Sequence, residues 1–345
     1  MIGAGFIGQL AHLMNYVEIK GCKVVALAEF RPELRNLVCQ RYQIPRGYAT
    51  HTELLQDTEV EAVIVVTPRP QTGPVVLDCL KAGKHVLSEK PMAGTVAQGH
   101  TLLAACPKAA LYAVGYMKRY DEGVQAAKKI LDQLIKTGEL GPVTYVRSHC
   151  FTGNSYCNAD GHVVTEEKVT YESAGWPTAP DWLPEDLHRA YAVYLNTYSH
   201  NTNLLRYLFN ETPQIEYTNL SVEAGQVAAL AFSTFNAVLE TGKFSNRGWD
   251  EVTEIFFTDG RLIIHTPPAL LKNVPARVEL YRAGICQEIM SPQINWTWAF
   301  RRQAQAFVDD CFYPGNSLIS GAEAIKDLEF VENLWKTEAS RRGKA

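Results

Sequence analysis

The chain has 345 residues, and 33 Lys plus Arg stand against 37 Asp plus Glu for a net charge of −4. That near balance argues against a nucleic-acid or anionic-membrane partner, which would favour a basic surface. No apolar run reaches the ~18 residues of a membrane span, and the start lacks the features of a signal peptide. The length predicts two domains, or one domain of unusual size, with a core large enough to need no disulfide or metal.

Eight cysteines are scattered over the chain without a CxxC pair. In a long chain with no secretion signal, this distribution is typical of free thiols in a reducing compartment. We therefore expect a cytoplasmic protein. Cys150, Cys157 and His162 contain soft metal ligands, but they lack a fourth partner and standard zinc spacing, so no metal is predicted.

The first 120 residues alternate short apolar runs with amphipathic stretches. This rhythm is typical of an α/β domain with a parallel sheet and right-handed crossovers. The predicted strands are 24–28, 62–66, 84–87 and 111–114, and the predicted helices are 6–19, 32–43, 72–82 and 94–106.

From residue 121 the rhythm changes to strands without intervening helices. The pattern predicts a second domain over 121–345, of the α+β class, with a large open and mainly antiparallel sheet. Its C-terminal helix is a candidate for packing back on the first domain. The predicted helices are 122–136, 186–209, 296–312 and 321–340, the first strand is 143–147, seven strand-like runs follow between 214 and 290, and 151–185 is a long loop.

A glycine motif, G-x-G-x-x-G, stands almost at the first residue, at Gly3, Gly5 and Gly8. The first glycine permits a tight turn, the second lets a pyrophosphate approach the backbone, and the third lets the helix pack close to a strand. Glu29 follows 21 residues after Gly8, where an acidic residue binds a ribose 2′-hydroxyl. The motif predicts NAD binding, while Arg31 leaves NADP open because its guanidinium could pair with a 2′-phosphate.

Only Met1 and Ile2 precede this motif, where a central parallel strand is expected. One interpretation is a start codon assigned too late. The other is a stub of the strand, which should weaken the sheet and the phosphate-binding turn.

Lys90 follows the predicted strand 84–87, in the run Ser88 to Pro91. In open α/β sheets, ligands bind outside the carboxyl ends of the strands. A lysine at that edge can donate to a substrate oxygen or take its proton. The alternative is a surface lysine before a proline that starts a helix.

Several motifs resemble one family, and the resemblance covers essentially the whole chain. They are the opening glycine motif, Thr67-Pro68, Glu89-Lys90-Pro91, the run from Val114 to Asp121 and the helix containing His200. That family is the glucose-fructose oxidoreductase / inositol dehydrogenase / rhizopine-catabolism (Gfo/Idh/MocA) family. The resemblance implies a Rossmann domain, then an open-sheet domain that holds substrate and mediates assembly as a homodimer or homotetramer. It also implies NAD(P)-dependent chemistry at a carbohydrate or cyclitol carbon, with Lys90 as a catalytic residue.

The family's second signature, D-x-x-x-H, here runs from Asn196 to His200. Positions i and i+4 share a helix face, and an imidazole suits general acid–base work. An amide at 196 cannot ionise, and Asn201 replaces another usual Asp. Asn196 could orient substrate, Tyr198 or Tyr194 could relay the proton, or the site could be catalytically weak. A less anionic pocket would suit a charged substrate such as a sugar nucleotide.

The resemblance and the motifs together give the following site assignments. The catalytic residues are Lys90 and His200. The cofactor contacts are Gly3, Gly5, Phe6, Ile7, Gly8, Glu29, Arg31, Thr67, Pro68, Glu89 and Lys90. The candidate substrate contacts are Lys118, Arg119, Asn196 and Tyr198.

Aromatic residues flank the predicted loop and could either stack on a sugar ring or pack the domains. They are Tyr171, Trp176, Trp182 and Tyr191. Two other functions stay open beside the oxidoreductase. One is an NAD-dependent glycoside hydrolase, in which the cofactor is retained. The other is a cofactor-binding protein with weak or no turnover.

Overall fold

The computed structural model describes residues 1–168, 175–220, 222–315 and 317–343. The chain forms two compact units. The first contains 1–116, 159–180 and 300–328, and the second contains 117–158, 181–299 and 329–345. Two segments from the predicted second domain, 159–180 and 300–328, therefore belong to the first unit. Tyr171 lies outside the described residues.

The first unit is built on short parallel strands, as the sequence predicts. They are β1 (Ala26–Ala28), β2 (Arg46–Tyr48), β3 (Ala62–Val65), β4 (His85–Ser88) and β5 (Tyr112–Val114). Strand β1 pairs with β2, and β4 lies between β3 and β5. Ile2 joins the β1–β2 pair to the group of β3, β4 and β5, because it forms parallel bridges with Ala28 and Val65. Its N–H donates to the Ile64 carbonyl at 2.9 Å.

Helices connect these strands. They are α1 (Met14–Tyr16), α2 (Pro32–Tyr42), α3 (His51–Leu55), α4 (Arg69–Lys81) and α5 (Val96–Ala105). The predicted helix over 6–19 is present over 6–16, but its centre, Gly8–Leu13, is π-helical and is followed by α1. The Asn15 side chain of α1 donates to the Ala11 carbonyl of the π-helical stretch at 2.7 Å.

The core of the first unit lies between the sheet and its helices. Side chains from successive strands and from a helix late in the chain meet there, so distant segments share one apolar interior. This cluster includes Leu13, Leu27, Leu34, Ile64, Leu87, Ala113, Ala304 and Phe307.

The second unit contains an eight-stranded sheet in the order β13-β12-β11-β10-β6-β9-β8-β7. Strands β6 and β9 pair parallel, and the other described pairs are antiparallel, which confirms the mainly antiparallel sheet. The strands are β6 (Val143–Thr152), β7 (Gln214–Asn219), β8 (Gly225–Ala231), β9 (Asn236–Lys243), β10 (Trp249–Phe257), β11 (Gly260–His265), β12 (Arg277–Arg282) and β13 (Glu288–Met290).

The remaining helices are α6 (Glu122–Thr137), α7 (Glu185–Thr197), α8 (Ser199–Phe209), α9 (Ala299–Phe312) and α10 (Gly321–Arg341). The single helix predicted over 186–209 is wrong, because Tyr198 separates α7 from α8. Its ring is buried and its hydroxyl donates to the Gly242 carbonyl of β9 at 2.7 Å. A tertiary contact therefore interrupts a pattern that is helical throughout, and Asn196 and His200 belong to different helices.

Among the described residues, every helix is too short or too polar to cross a lipid bilayer. All eight cysteines lie in the described ranges and are free thiols. The same residues bring no three His, Cys, Asp or Glu side chains together in a way that could hold a metal ion.

Candidate functional site

The three motif glycines meet three different steric demands. Gly3 has φ +89°, and a Cβ built on it would lie 2.1 Å from the Val66 carbonyl oxygen. A Cβ on Gly8 would lie 2.7 Å from the Gly3 oxygen, so turn and helix are in close contact. A Cβ on Gly5 would meet no atom within 4 Å. The backbone at Gly5 is thus open, as the approach of a pyrophosphate requires.

We expect Gly5→Ala and Gly8→Ala to separate binding from folding. The Gly5→Ala change should leave the free energy of unfolding within about 0.5 kcal/mol and weaken NADH binding ~10-fold, because its methyl group enters the open approach. The Gly8→Ala change should cost about 1–3 kcal/mol of stability by overpacking. Urea unfolding and NADH fluorescence titration measure the two effects, and equal destabilisation of both variants would contradict the assignment.

Glu29, after β1, is held by the glycine turn and by Arg31. It accepts the Ala4 N–H at 2.9 Å and the Arg31 Nε at 2.8 Å. Burial disfavours the charged carboxylate, but the Arg31 and Ala4 donors outweigh it and lower the pKa of Glu29. Glu29 is therefore a fixed anion beside the glycine turn, and Arg31 is already paired with it.

The lowered pKa of Glu29 predicts a contribution to acid stability. Because the folded pKa lies below the ordinary 4.5, the contribution is complete above that value and is lost as the pH falls through the folded pKa. A Glu29→Gln variant should lose less stability than the wild-type chain when the pH falls below about 4.5. Thermal unfolding between pH 3 and about 7 measures this, and parallel pH profiles would contradict it.

A cavity of about 430 Å³ lies over the glycine turn. Its lining brings together residues from the glycine turn and the ends of β1 and β3, as the sequence predicts for a cofactor site. Among the predicted contacts it contains Gly3, Gly5, Phe6, Ile7, Gly8, Glu29, Arg31, Thr67 and Pro68. Glu89 and Lys90 do not line it.

Glu89 and Lys90 follow the C-terminal end of β4. Glu89 accepts from the ring of the buried His12 at 2.7 Å and from the Lys90 N–H at 3.1 Å. Burial opposes its charge, but His12 and Lys90 outweigh this and hold the pKa of Glu89 below its ordinary value. The peptide between Lys90 and Pro91 is cis. Glu89 thus fixes the backbone from which the half-buried Lys90 side chain extends.

In the second unit, Lys118 forms a buried ion pair with Glu251 of β10. Glu251 also accepts the Asn201 Nδ2 at 3.0 Å and the Trp249 Nε1 at 3.2 Å. Burial raises the pKa of the nearby Cys150 thiol well above its ordinary value, and the Glu251 charge adds to this. We call Lys118, Glu251, Asn201 and Trp249 the Glu251 cluster.

The other predicted substrate contacts in this unit have mostly internal partners. Arg119 is buried, donates from Nε to Asn203 at 2.9 Å and lies over the Tyr207 ring. Burial raises the pKa of the Tyr198 phenol to about 12, which does not suit a proton relay near neutral pH. Asn196 and His200 are half-buried, in α7 and α8.

Of the described aromatic residues from the sequence analysis, Trp176 and Tyr191 pack inside their own units, whereas Trp182 is 40% exposed. In the first unit the Trp176 ring lies against Gly73, where a Cβ would be 2.1 Å from its Cε3. In the second, the buried Tyr191 and Tyr194 rings contact Trp335, and Trp182 lies beneath the Lys336 ammonium. The contacts of Trp176 and Tyr191 favour the packing interpretation over sugar stacking for these two residues.

Several residues of these sites escape sequence reasoning. His12 is one helical turn beyond Gly8, but the spacing does not indicate that Glu89 is its partner. The sequence gives only a weak indication of the role of Glu251. Strand alternation places it on the same face as Thr253, Ile255 and Phe257, and this face is buried. A charge at that position indicates a buried partner, although it does not identify Lys118.

Comparison with known proteins agrees with this geometry. Residues 1–116 match the GFO_IDH_MocA model, described as an oxidoreductase family with an NAD-binding Rossmann fold. The N-terminal third of the chain thus carries the Rossmann domain of this family. The match confirms the expected family, the fold class and a nicotinamide dinucleotide as the cofactor of its Rossmann fold.

Within the family, the chain is similar to the inositol 2-dehydrogenase of Pseudomonas fluorescens, with 35% identity over 140 residues. The match covers 38% of this chain and 40% of that protein. The inositol 2-dehydrogenase/D-chiro-inositol 3-dehydrogenase of Lacticaseibacillus casei is 28% identical over 50% of this chain and 49% of its own length. The chain thus matches about half or less of the length of each of these two relatives.

The fold is similar over nearly the whole chain to that of the aldose-aldose oxidoreductase of Caulobacter crescentus. The TM-score is 0.75, the identity is 22%, and the match covers 99% of this chain and 97% of that structure. At this identity the likeness establishes the fold, not the substrate.

Proposed function

We propose that the chain is an NAD(P)-dependent oxidoreductase that transfers hydride between nicotinamide and a CH–OH carbon of a sugar, sugar nucleotide or cyclitol. The observation that carries the proposal is the glycine turn, which is open at Gly5 and beside Glu29 in a cavity of about 430 Å³. The match of residues 1–116 to the oxidoreductase family and the names of the similar dehydrogenases support it.

A bound nicotinamide would supply the hydride acceptor or donor, and the protein would supply position and proton transfer. The N–H groups at the start of the helix after the glycine turn would hold the pyrophosphate, and Glu29 would bind ribose hydroxyls. Lys90 and His200 are the groups we propose to move the hydroxyl proton, because lysine and imidazole both exchange protons in enzymes. Asn196 is kept as a substrate-orienting residue.

The setting of the enzyme is part of the same proposal. The eight free thiols are compatible with a reducing compartment, so we place the enzyme in the cytoplasm. We propose a Rossmann domain over 1–120 and a substrate domain over 121–345 whose open sheet mediates a homodimer or homotetramer. Sedimentation velocity measures the assembly.

The proposal is tested by incubating the purified chain with NAD or NADP and a panel of sugars, sugar nucleotides and inositols. We expect steady NADH or NADPH formation with at least one alcohol, or its consumption with the corresponding ketone. Glycosidic cleavage without net reduced cofactor would instead indicate the hydrolase. Cofactor binding with no turnover on the panel would indicate a binding protein.

A further inference from the structure

Residues 161–167, which we call the 161–167 segment, pack against the glycine turn within the first unit. The buried Gln9 side chain joins them, since its Nε2 donates to the Val163 carbonyl at 2.9 Å and its Oε1 accepts the Val163 N–H at 2.8 Å. The same Nε2 also donates to the Ala4 carbonyl at 2.7 Å. The His162 ring meets the Phe6 ring edge-on at 5.1 Å between centroids.

The segment ends with a carboxylate at the start of α2. The Glu33 N–H donates to Glu167 Oε1 at 2.9 Å, and the Leu34 N–H donates to Oε2 at 2.8 Å. Thr165 Oγ1 donates to the same carboxylate at 3.0 Å. Glu167 therefore satisfies two N–H groups that the first turn of a helix leaves without intrahelical partners. These donors, together with the nearby Arg31 charge, outweigh desolvation and lower the pKa of Glu167.

This placement matters because α2 begins next to Arg31, the residue that could accept a 2′-phosphate. In dinucleotide-binding folds, a 2′-phosphate is accommodated by an Arg near the acidic ribose ligand. Arg31 is already bound by Glu29 through Nε at 2.8 Å and Nη2 at 3.1 Å. The amides at the start of α2, which otherwise favour an anion, are taken by Glu167.

We propose that Glu167 is a specificity-determining residue that selects NAD(H) over NADP(H), by occupying the start of α2 with a second carboxylate beside Arg31. The inference rests on the proposed function and adds that the site selects NAD(H) over NADP(H). Without Glu167, Glu29 would be the one carboxylate that offsets the positive charge of Arg31 and of the amides at the start of α2. With Glu167, two carboxylates lie near Arg31 and offset its charge. Arg35 keeps its positive charge nearby, but its Nη1 is already engaged, because it donates to the Glu29 carbonyl at 2.7 Å.

The test is a fluorescence titration of wild type and Glu167→Gln with NADH and NADPH, which reads binding without turnover. The wild-type chain should bind NADH more tightly. The Glu167→Gln variant should narrow the ratio of the two dissociation constants by ~3- to 10-fold, mainly through tighter NADPH binding, because the charge is lost while the side-chain shape is kept.

Glu166→Gln is the matched control, because the exposed neighbour carries the same charge. Its NADH-to-NADPH ratio should stay at the wild-type value. Two outcomes overturn the inference and leave the proposed function intact. One is an equal change of the NADH and NADPH dissociation constants in Glu167→Gln. The other is a change of the NADH-to-NADPH ratio in Glu166→Gln that is as large as in Glu167→Gln. Normal NADH selectivity without turnover on any substrate contradicts the oxidoreductase alone, and no binding of either dinucleotide contradicts both.

Discussion

Replacing Glu251 by Ala is expected to lower the free energy of unfolding by about 3–5 kcal/mol, because it leaves the buried Lys118 ammonium without its counter-charge. The side chains of Lys118 and Glu251 are 6% and 2% exposed, so water cannot replace the lost carboxylate. The change also removes the acceptor for Asn201 Nδ2 and Trp249 Nε1. Urea unfolding followed by circular dichroism measures the loss.

A double-mutant cycle tests whether the loss comes from the unpaired charge. Adding Lys118→Met to Glu251→Ala should recover at least about half of the lost stability, since the buried charge is then gone. Arg147→Met is a suitable control, because Arg147 forms an exposed pair with Glu240 and should change stability by about 1 kcal/mol or less. Strictly additive losses for Lys118 and Glu251 would show that the two charges do not depend on each other.

The Glu251 cluster also changes the interpretation of the substituted family motif. From the sequence, Asn196 and Asn201 remove two carboxylates, which predicts a less anionic pocket. The structure places a carboxylate of β10 3.0 Å from Asn201 Nδ2, so the charge missing at position 201 is present one contact away. Lys118 neutralises it. The side chain at position 201 is thus bound to a carboxylate from a strand fifty positions later.

The sequence predicts those parts of the molecule that depend on local chemistry. The β-branched and aliphatic runs form the parallel strands, because such residues suit a sheet that is buried on both faces. The glycine motif predicts the turn, since each glycine answers a separate steric demand there. Even the short pairing at Ile2 follows the parallel order expected for a central strand.

Features that depend on distant partners could not be predicted. The break at Tyr198 arises from a hydrogen bond to Gly242, forty-four residues away, and nothing local marks it. Strand β2 has only three residues and is half exposed, so it carries no apolar run. Glu167 lies in a polar loop without periodicity, and its partners Glu33 and Leu34 precede it by more than 130 residues. In each case the feature depends on a contact with a segment distant in the sequence, and no local residue pattern indicates it.

The second large effect is expected at Lys90. A Lys90→Met variant should lose ~10²- to 10⁴-fold in kcat, the usual contribution of a positioned proton-transfer group. NADH affinity should change less than about 3-fold, because Lys90 does not line the cavity over the glycine turn. The variant should also fold, since the His12 ring and the Lys90 N–H still hold Glu89 when the lysine side chain is replaced.

The measurement combines steady-state kinetics on the best substrate of the panel with NADH titration and thermal unfolding. Lys81→Met is the control, because it removes an exposed lysine from the end of α4 and should leave kcat unchanged. The pH profile separates proton transfer from positioning. If Lys90 moves the proton, one limb of the kcat profile should disappear in Lys90→Met, whereas a positioning role would lower the whole curve and keep its shape. Wild-type turnover in Lys90→Met would remove Lys90 from the mechanism.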